Sequence, residues 1–268
     1  MGEFEQATAV RRVVDGRYAG EIVPGWDIGG NANGGYLLAM AARAMADAVE
    51  RPPLSVTAHF LSPGKVGPVE IDVDVVREGR RLAVVRSTLS AGDAAVMALL
   101  GTFGDQSDPD AADASVIDAE PPDLPPIADC PRGGPPPGAG ESGFVDRVIG
   151  RYHPADIGFR AERPSGTALM RGWFEFGDGS AIDAFGLLAA LDAFAPVCFN
   201  RPEFPMGWAP TLELTAHIRE RPAPGPLRLR FRSRFIQNGM FEEDGEAWDS
   251  RGVLVAQSRQ LALIPRQT

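Results

Sequence analysis

Leu54-Ser55-Val56-Thr57-Ala58-His59-Phe60 recurs 158 residues later as Leu212-Glu213-Leu214-Thr215-Ala216-His217-Ile218. At the same spacing Gly67-Pro68 recurs as Gly225-Pro226, and six of the 15 positions from 54 to 68 are identical in the second copy. A repeat at fixed spacing outranks local propensity, because it implies one supersecondary unit used twice. The apolar positions Val56/Leu214, Ala58/Ala216 and Phe60/Ile218 alternate, which marks one face of a strand.

Outward from each copy the same elements follow. Upstream lies an apolar helix candidate, Gly34 to Ala42 in the first half and Ala181 to Asp192 in the second. Downstream come strands with turn punctuation: 69–76, 80–89 and 94–103, then 227–236, 240–248 and 253–264. A helix apolar all round must be wrapped by protein. A long central helix enclosed by an antiparallel sheet is the hotdog arrangement, and two copies predict an α+β double hotdog. A generic α+β domain is the alternative; the helix at the same place in each half favours the duplicated form.

The halves are separated by a segment of different character. Residues 105–142 hold nine Asp or Glu, one basic residue (Arg132), 13 Gly or Pro and no aromatic. Such a stretch cannot build a core. It reads as an acidic connector laid over the folded surface, between an N-terminal unit, 1–104, and a C-terminal unit, 143–268. It also carries −8 of the formal net charge of −10, so the two units are near neutral. The acidic total excludes a general nucleic-acid binder. With 44% apolar and 23% charged residues the chain has globular composition. Its start, Met1-Gly2-Glu3-Phe4-Glu5, lacks a basic n-region and an apolar h-region, and no run is long enough to span a bilayer, so a cytoplasmic location is expected. Cys130 and Cys198 stand in unrelated contexts, and the chain has no metal-ligand spacing. No metal and no cofactor are expected.

Several motifs, taken in order, resemble the acyl-CoA thioesterase II family. In the first half they are Trp26, Asn33-Gly34-Gly35-Tyr36-Leu37, Phe60-Leu61-Ser62-Pro63-Gly64 and Glu78-Gly79-Arg80. In the second they are Leu191-Asp192-Ala193-Phe194-Ala195-Pro196, Pro210-Thr211-Leu212-Glu213 and Val255-Ala256-Gln257-Ser258-Arg259-Gln260. The resemblance implies hydrolysis of fatty acyl-CoA to fatty acid and CoA without a covalent nucleophile. An Asp, a Thr and a Gln would hold the attacking water, and the matching positions are Asp192, Thr211 and Gln260. The start of the first helix, Asn33, Gly34, Gly35 and Tyr36, would supply oxyanion and substrate contacts. The expected partner is acyl-CoA, and the expected assembly a homodimer of double hotdogs.

These residues have physical reasons to serve, and each has a plainer reading. Ser180 with Asp183 approximates a capping box, which places Asp192 near the other helix end, where the dipole disfavours an anion. Burial and dipole would raise its pKa toward that of a base; a local cap or an arginine salt bridge is the plain alternative. The first-half helix has Ala42 or Arg43 near the corresponding place, which predicts one catalytic site per chain. Thr211 offers a hydroxyl, or is simply a β-favouring residue at a strand start. Gln260 offers donor and acceptor, or is the outward polar residue of an alternating strand. Asn33 is a plausible N-cap, and Gly34-Gly35 either permits close approach of a thioester to free amides or serves a turn.

Two features stand beside the site. His59 and His217 repeat with the strand and His153 is alone, which suits structural roles and argues against an enoyl-thioester hydratase. Arg228, Arg230 and Arg232 fall where Glu70, Asp72 and Asp74 stand in the first half, and Arg234 continues their face. The charged faces are either solvated or meet each other between halves or chains. These arginines, or Arg77, Arg80 and Arg81, also offer partners for CoA phosphates. A non-catalytic acyl-CoA or lipid binder on the same scaffold remains the alternative to the enzyme.

Overall fold

A computed structural model describes residues 1–105, 116–134 and 143–266. The first half runs α1 (Glu3–Ala7), β1 (Arg11–Val14), β2 (Arg17–Ile22), β3 (Asp27–Ile28), β4 (Asn31–Ala32), α2 (Gly34–Val49), β5 (Pro53–Phe60), β6 (Gly67–Glu78), β7 (Leu82–Ala91) and β8 (Ala94–Gly104). The second runs α3 (Phe144–Arg147), β9 (Val148–Tyr152), β10 (Leu169–Phe176), α4 (Ala184–Ala190), β11 (Thr211–Ile218), β12 (Leu227–Arg232), β13 (Ile236–Gln237), β14 (Met240–Trp248) and β15 (Leu254–Leu263).

One antiparallel sheet carries nearly all strands, in the order β1-β2-β6-β7-β8-β5-β11-β15-β14-β12-β10-β9, with β13 on β14. The order is the same read outward from the β5–β11 seam in either direction. That seam is formed by the two copies of the repeated stretch, with Thr57 opposite Thr215. The expected strand face is inward: Val56, Ala58, Leu214, Ala216 and Ile218 are buried.

The helices pack on the inner face, giving a hotdog-type α+β fold. α2 has 16 residues and is buried on every side over its first three turns, against β2, β5, β6, β7 and α4. It stops at Glu50, which takes a left-handed conformation (φ 52°) ahead of Pro52-Pro53. α4 differs from expectation. It has seven residues, so the long helix expected from 181 to 192 is absent. Its N-cap is Asp183, whose carboxylate accepts the Gly186 N–H at 2.7 Å; Ser180 does not cap it. Ala181 and Asp183 are exposed, and burial along α4 begins at Gly186, two residues after the helix starts.

The described part of the connector, 116–134, crosses the β9–β10 edge. Trp173 Nε1 donates to the Pro125 carbonyl at 3.1 Å, and Arg151 donates to that of Cys130. The Pro135-Pro136-Pro137 run and residues 106–115 lie outside the described residues.

The charged strands do not meet within the chain. β6 and β12 lie far apart in the sheet, and each finds opposite charge on its neighbours: Arg17–Asp72 and Arg86–Asp74 on one side, Arg230–Glu246 and Arg234–Asp244 on the other. In register, Asp74 faces Arg86 where Arg232 faces Asp244. The same cross-strand pair therefore recurs with its signs exchanged. No helix among the described residues is long and apolar enough to cross a membrane.

Candidate active site

The start of α2 meets the turn that follows α4. Asn33 caps α2: its Oδ1 accepts the Tyr36 N–H at 3.0 Å, while its Nδ2 donates to the Asp192 carbonyl (2.9 Å) and to Asp192 Oδ2 (3.0 Å). The Gly35 N–H donates to the same Oδ2 at 2.8 Å. Glycine at 35 is required by close approach, since a Cβ there would stand 3.0 Å from the Ala189 backbone and from Asp192 Cβ. The short α4 thus places Asp192 against the other half's helix.

This changes the electrostatic argument for Asp192. Its carboxylate sits on the N-terminus of α2, where the dipole and free amides favour an anion. Burial nevertheless dominates and pushes its pKa up to about 6, with the Gly35 amide, the Asn33 side chain and the Gly34 amide pulling the other way. No arginine pairs with it among the described residues. The Gly35 amide, expected to be free for an oxyanion, is bonded to Asp192.

Thr211, Gln260 and Glu243 form a hydrogen-bonded chain beside it. Thr211 Oγ1 donates to Gln260 Oε1 at 3.3 Å, and Gln260 Nε2 donates to Glu243 Oε1 at 3.0 Å. The Val197 N–H donates to Glu243 Oε2 at 2.9 Å. Gln260 lies on the inward register of β15 with Ala256, Ser258 and Ala262, so the outward reading is wrong. Strict alternation from Leu214 would turn Thr211 outward. A bulge between Thr211 and Glu213 brings it back to the inner side.

Asp192, Thr211, Gln260, Glu243, Asn33 and Gly34 all line one cavity of about 420 Å³. Its remaining wall is largely apolar and includes an aromatic cluster. Tyr152 and Phe194 lie 4.5 Å apart between ring centroids, and Phe194 and Phe231 5.6 Å. None of the three histidines lines it. Of the expected site residues, Gly35 and Tyr36 do not line the cavity: Gly35 reaches Asp192 through its amide, and Tyr36 lies elsewhere. It is fully buried, stacks on Trp26, and donates its hydroxyl to the Ala7 carbonyl at 2.9 Å.

Glu243 is the polar group of this wall that sequence reasoning misses. It is buried at 5% exposure on the inward register of β14, between Phe241 and Gly245. Burial pushes its pKa up to about 8, and the neighbouring Asp192 and Glu242 charges add to that. The run Glu242-Glu243-Asp244 reads as a solvated face; only the alternation Phe241, Glu243, Gly245, Ala247 hints that one acid points in. Among the described residues no His, Cys, Asp and Glu group is arranged to hold a metal.

Comparison with known proteins agrees with this fold. The acyl-CoA thioesterase N-terminal domain family matches residues 22–104, and the acyl-CoA thioesterase C-terminal domain family matches residues 121–264. An uncharacterized protein of Mycobacterium tuberculosis H37Rv is 30% identical over 274 residues, which span 93% of this chain and 91% of the relative. A chain from Thermobifida fusca YX assigned as a thioesterase II is 35% identical, with a TM-score of 0.89 over 99% of this chain and 98% of that one. A hotdog-fold protein of Alicyclobacillus acidocaldarius, 23% identical, has a TM-score of 0.86 over 100% of both chains, a likeness of fold alone.

Proposed function

The chain belongs to the acyl-CoA thioesterase family, and from that membership we propose that it hydrolyses fatty acyl-CoA with a water activated by Asp192 and held by Thr211 and Gln260. The observation that carries the reading is Asp192 itself. It is a carboxylate whose pKa burial pushes up to about 6, paired with no cation among the described residues, on the wall of the cavity that also receives Thr211 and Gln260. Such a group is ionised at neutral pH yet basic enough to take a proton.

Asn33 and Gly35 both reach Oδ2, which leaves Oδ1 to face the water. Asp192 removes one proton as the water oxygen bonds to the thioester carbon. The C–S bond then breaks, and the CoA thiolate regains the proton from Asp192, leaving the carboxylic acid and free CoA. The carbonyl oxygen faces the start of α2. As Asp192 becomes neutral its hold on the Gly35 amide weakens, and the fixed N–H dipoles at the start of α2 then act on the oxyanion as the negative charge moves there. The apolar wall takes the acyl tail.

The organisation follows the same reading: two hotdog units, 1–104 and 143–268, joined by the connector 105–142. The matches at 22–104 and 121–264 support two units, the second match starting within the connector. With the acid present in one half only, each chain has one site.

Release of free thiol from acyl-CoA of graded chain length tests the function. Wild-type hydrolysis lost in Asp192→Asn, with the circular-dichroism spectrum unchanged, is the expected result. Full activity in that variant, or no hydrolysis of any chain length by the wild type, would overturn it.

A further inference from the structure

Glu243 has no part in the water chemistry just described, and the following inference rests on that reading. Its two oxygens are not equivalent. Oε2 faces the Val197 main-chain N–H, which cannot turn over, so Oε2 is always an acceptor. Oε1 faces the Gln260 amide, which can: a half-turn about its last bond exchanges oxygen and nitrogen with almost no change of shape. With Glu243 ionised, Gln260 donates to Oε1, and its own oxygen takes the Thr211 hydroxyl proton. With a proton on Oε1 the chain runs the other way. Glu243 donates to the Gln260 oxygen, Gln260 nitrogen donates to Thr211 Oγ1, and the Thr211 hydroxyl hydrogen is left pointing at the cavity.

We propose that Glu243 is a positioning residue whose neutral form turns the Gln260 amide over and frees the Thr211 hydroxyl to donate to the attacking water. A water that gives one hydrogen to Asp192 needs a donor to fix its oxygen, and ionised Glu243 removes that donor by drawing the Thr211 proton to Gln260.

The surroundings favour the neutral form. Asp192 on the turn after α4 and Glu242 on the same strand both oppose a charge there. Cys198, in the turn 197–200, and Tyr152 on β9 also face it, and burial pushes each up to about 12, so both stay neutral. No cation is among these neighbours. The value of about 8 for Glu243 agrees with an acid that keeps its proton at pH 7.

The test is a carbon-13 carboxyl titration of the full chain, assigned with E243Q and D192N, alongside the Gln260 side-chain amide signal and a pH profile of kcat. The E243Q side chain takes the Val197 N–H on its oxygen and donates from its nitrogen, which copies the protonated acid. Expected are a Glu243 midpoint near 8 that falls in D192N, a Gln260 amide that shifts with that midpoint, and an alkaline fall in kcat, more than in KM, that E243Q abolishes. A Glu243 midpoint near the ordinary 4.5, a Gln260 signal indifferent to it, or an alkaline fall that persists in E243Q would each overturn the proposal. If the wild type hydrolyses no thioester, the hydrolysis reading fails alone. The two titrations still decide this one.

Discussion

Thr57 and Thr215 face each other across the β5–β11 seam with their hydroxyl oxygens 2.9 Å apart. They are also the two copies of one position in the repeat, 158 residues apart, so the symmetry of the sheet passes between them. Thr215 donates its hydroxyl to Glu213 Oε1 at 2.6 Å, which makes Thr57 the donor in the pair. Thr215→Val removes both hydrogen bonds and Thr57→Val only one. At about 1 kcal/mol for each bond, urea denaturation should rank Thr215→Val below Thr57→Val, and both below the wild type. Equal stabilities would mean that the hydroxyl pair adds nothing to the backbone ladder.

Asp192 acts as a base only when ionised, and burial sets that change near pH 6. The rate kcat/KM therefore rises with pH through about 6 and is flat above it until the alkaline groups titrate. In Asp192→Asn the residual rate, about 10²- to 10⁴-fold lower, should lose this limb. A residual activity with the same midpoint would assign the limb to another group.

The same two buried acids make stability depend on pH with an uncommon sign. Their folded-state values, about 6 and about 8, lie above the ordinary 3.8 and 4.5. The native state then binds more protons than the unfolded state between those limits, so their stabilising effect is present below about pH 4 and lost as pH rises through 6 and 8. Asp178 and Asp249, held below the usual carboxylate range by hydrogen bonds, work in the opposite sense at acid pH. Calorimetry should show Tm falling from pH 6 toward pH 8.5, and E243Q should flatten that fall. A Tm that rises across this range in the wild type would show the acids to be ionised at little cost.

Much of this was legible in the chain and some was not, for identifiable reasons. The repeat at 158 residues gave the duplication because strands keep their period in sequence, but that the two copies pair at the seam is a long-range contact it does not encode. Asp192, Thr211 and Gln260 came from motif resemblance, and alternation misleads at Gln260, because the polar Ser258 and Gln260 face inward while Leu261 is exposed. Thr211 faces the cavity through a bulge, which alternation does not reveal. The partnership of Asp192 with Asn33 and Gly35 joins residues 157 to 159 apart and depends on where α4 stops. The start of α4 likewise falls at Asp183, although Ser180 caps equally well on paper. Glu243 was hidden by its acidic neighbours.

Gly35 gives the last prediction, because two effects of opposite sign meet there. Inside a helix, alanine is favoured over glycine by about 1 kcal/mol. At Gly35 the added methyl would stand 3.0 Å from the Ala189 Cα and carbonyl oxygen and from Asp192 Cβ, all fixed by main chain. Neither helix can move freely, since both are buried. Overpacking of this kind costs about 1–3 kcal/mol, which outweighs propensity. Gly35→Ala should therefore destabilise the chain, and should lower kcat further than the stability loss explains, because relief of the clash moves Asp192 off the Gly35 amide. Gly34 is no control, since a methyl there meets the Phe60 ring and Asp192 Oδ2. Gly92 is one: it lies in the open β7–β8 turn, where a methyl meets nothing within 4 Å. Its φ of 56° makes Gly92→Ala cost backbone strain alone, with kcat untouched. A Gly35→Ala variant as stable and active as the wild type would show that α2 and α4 are not held together at this contact.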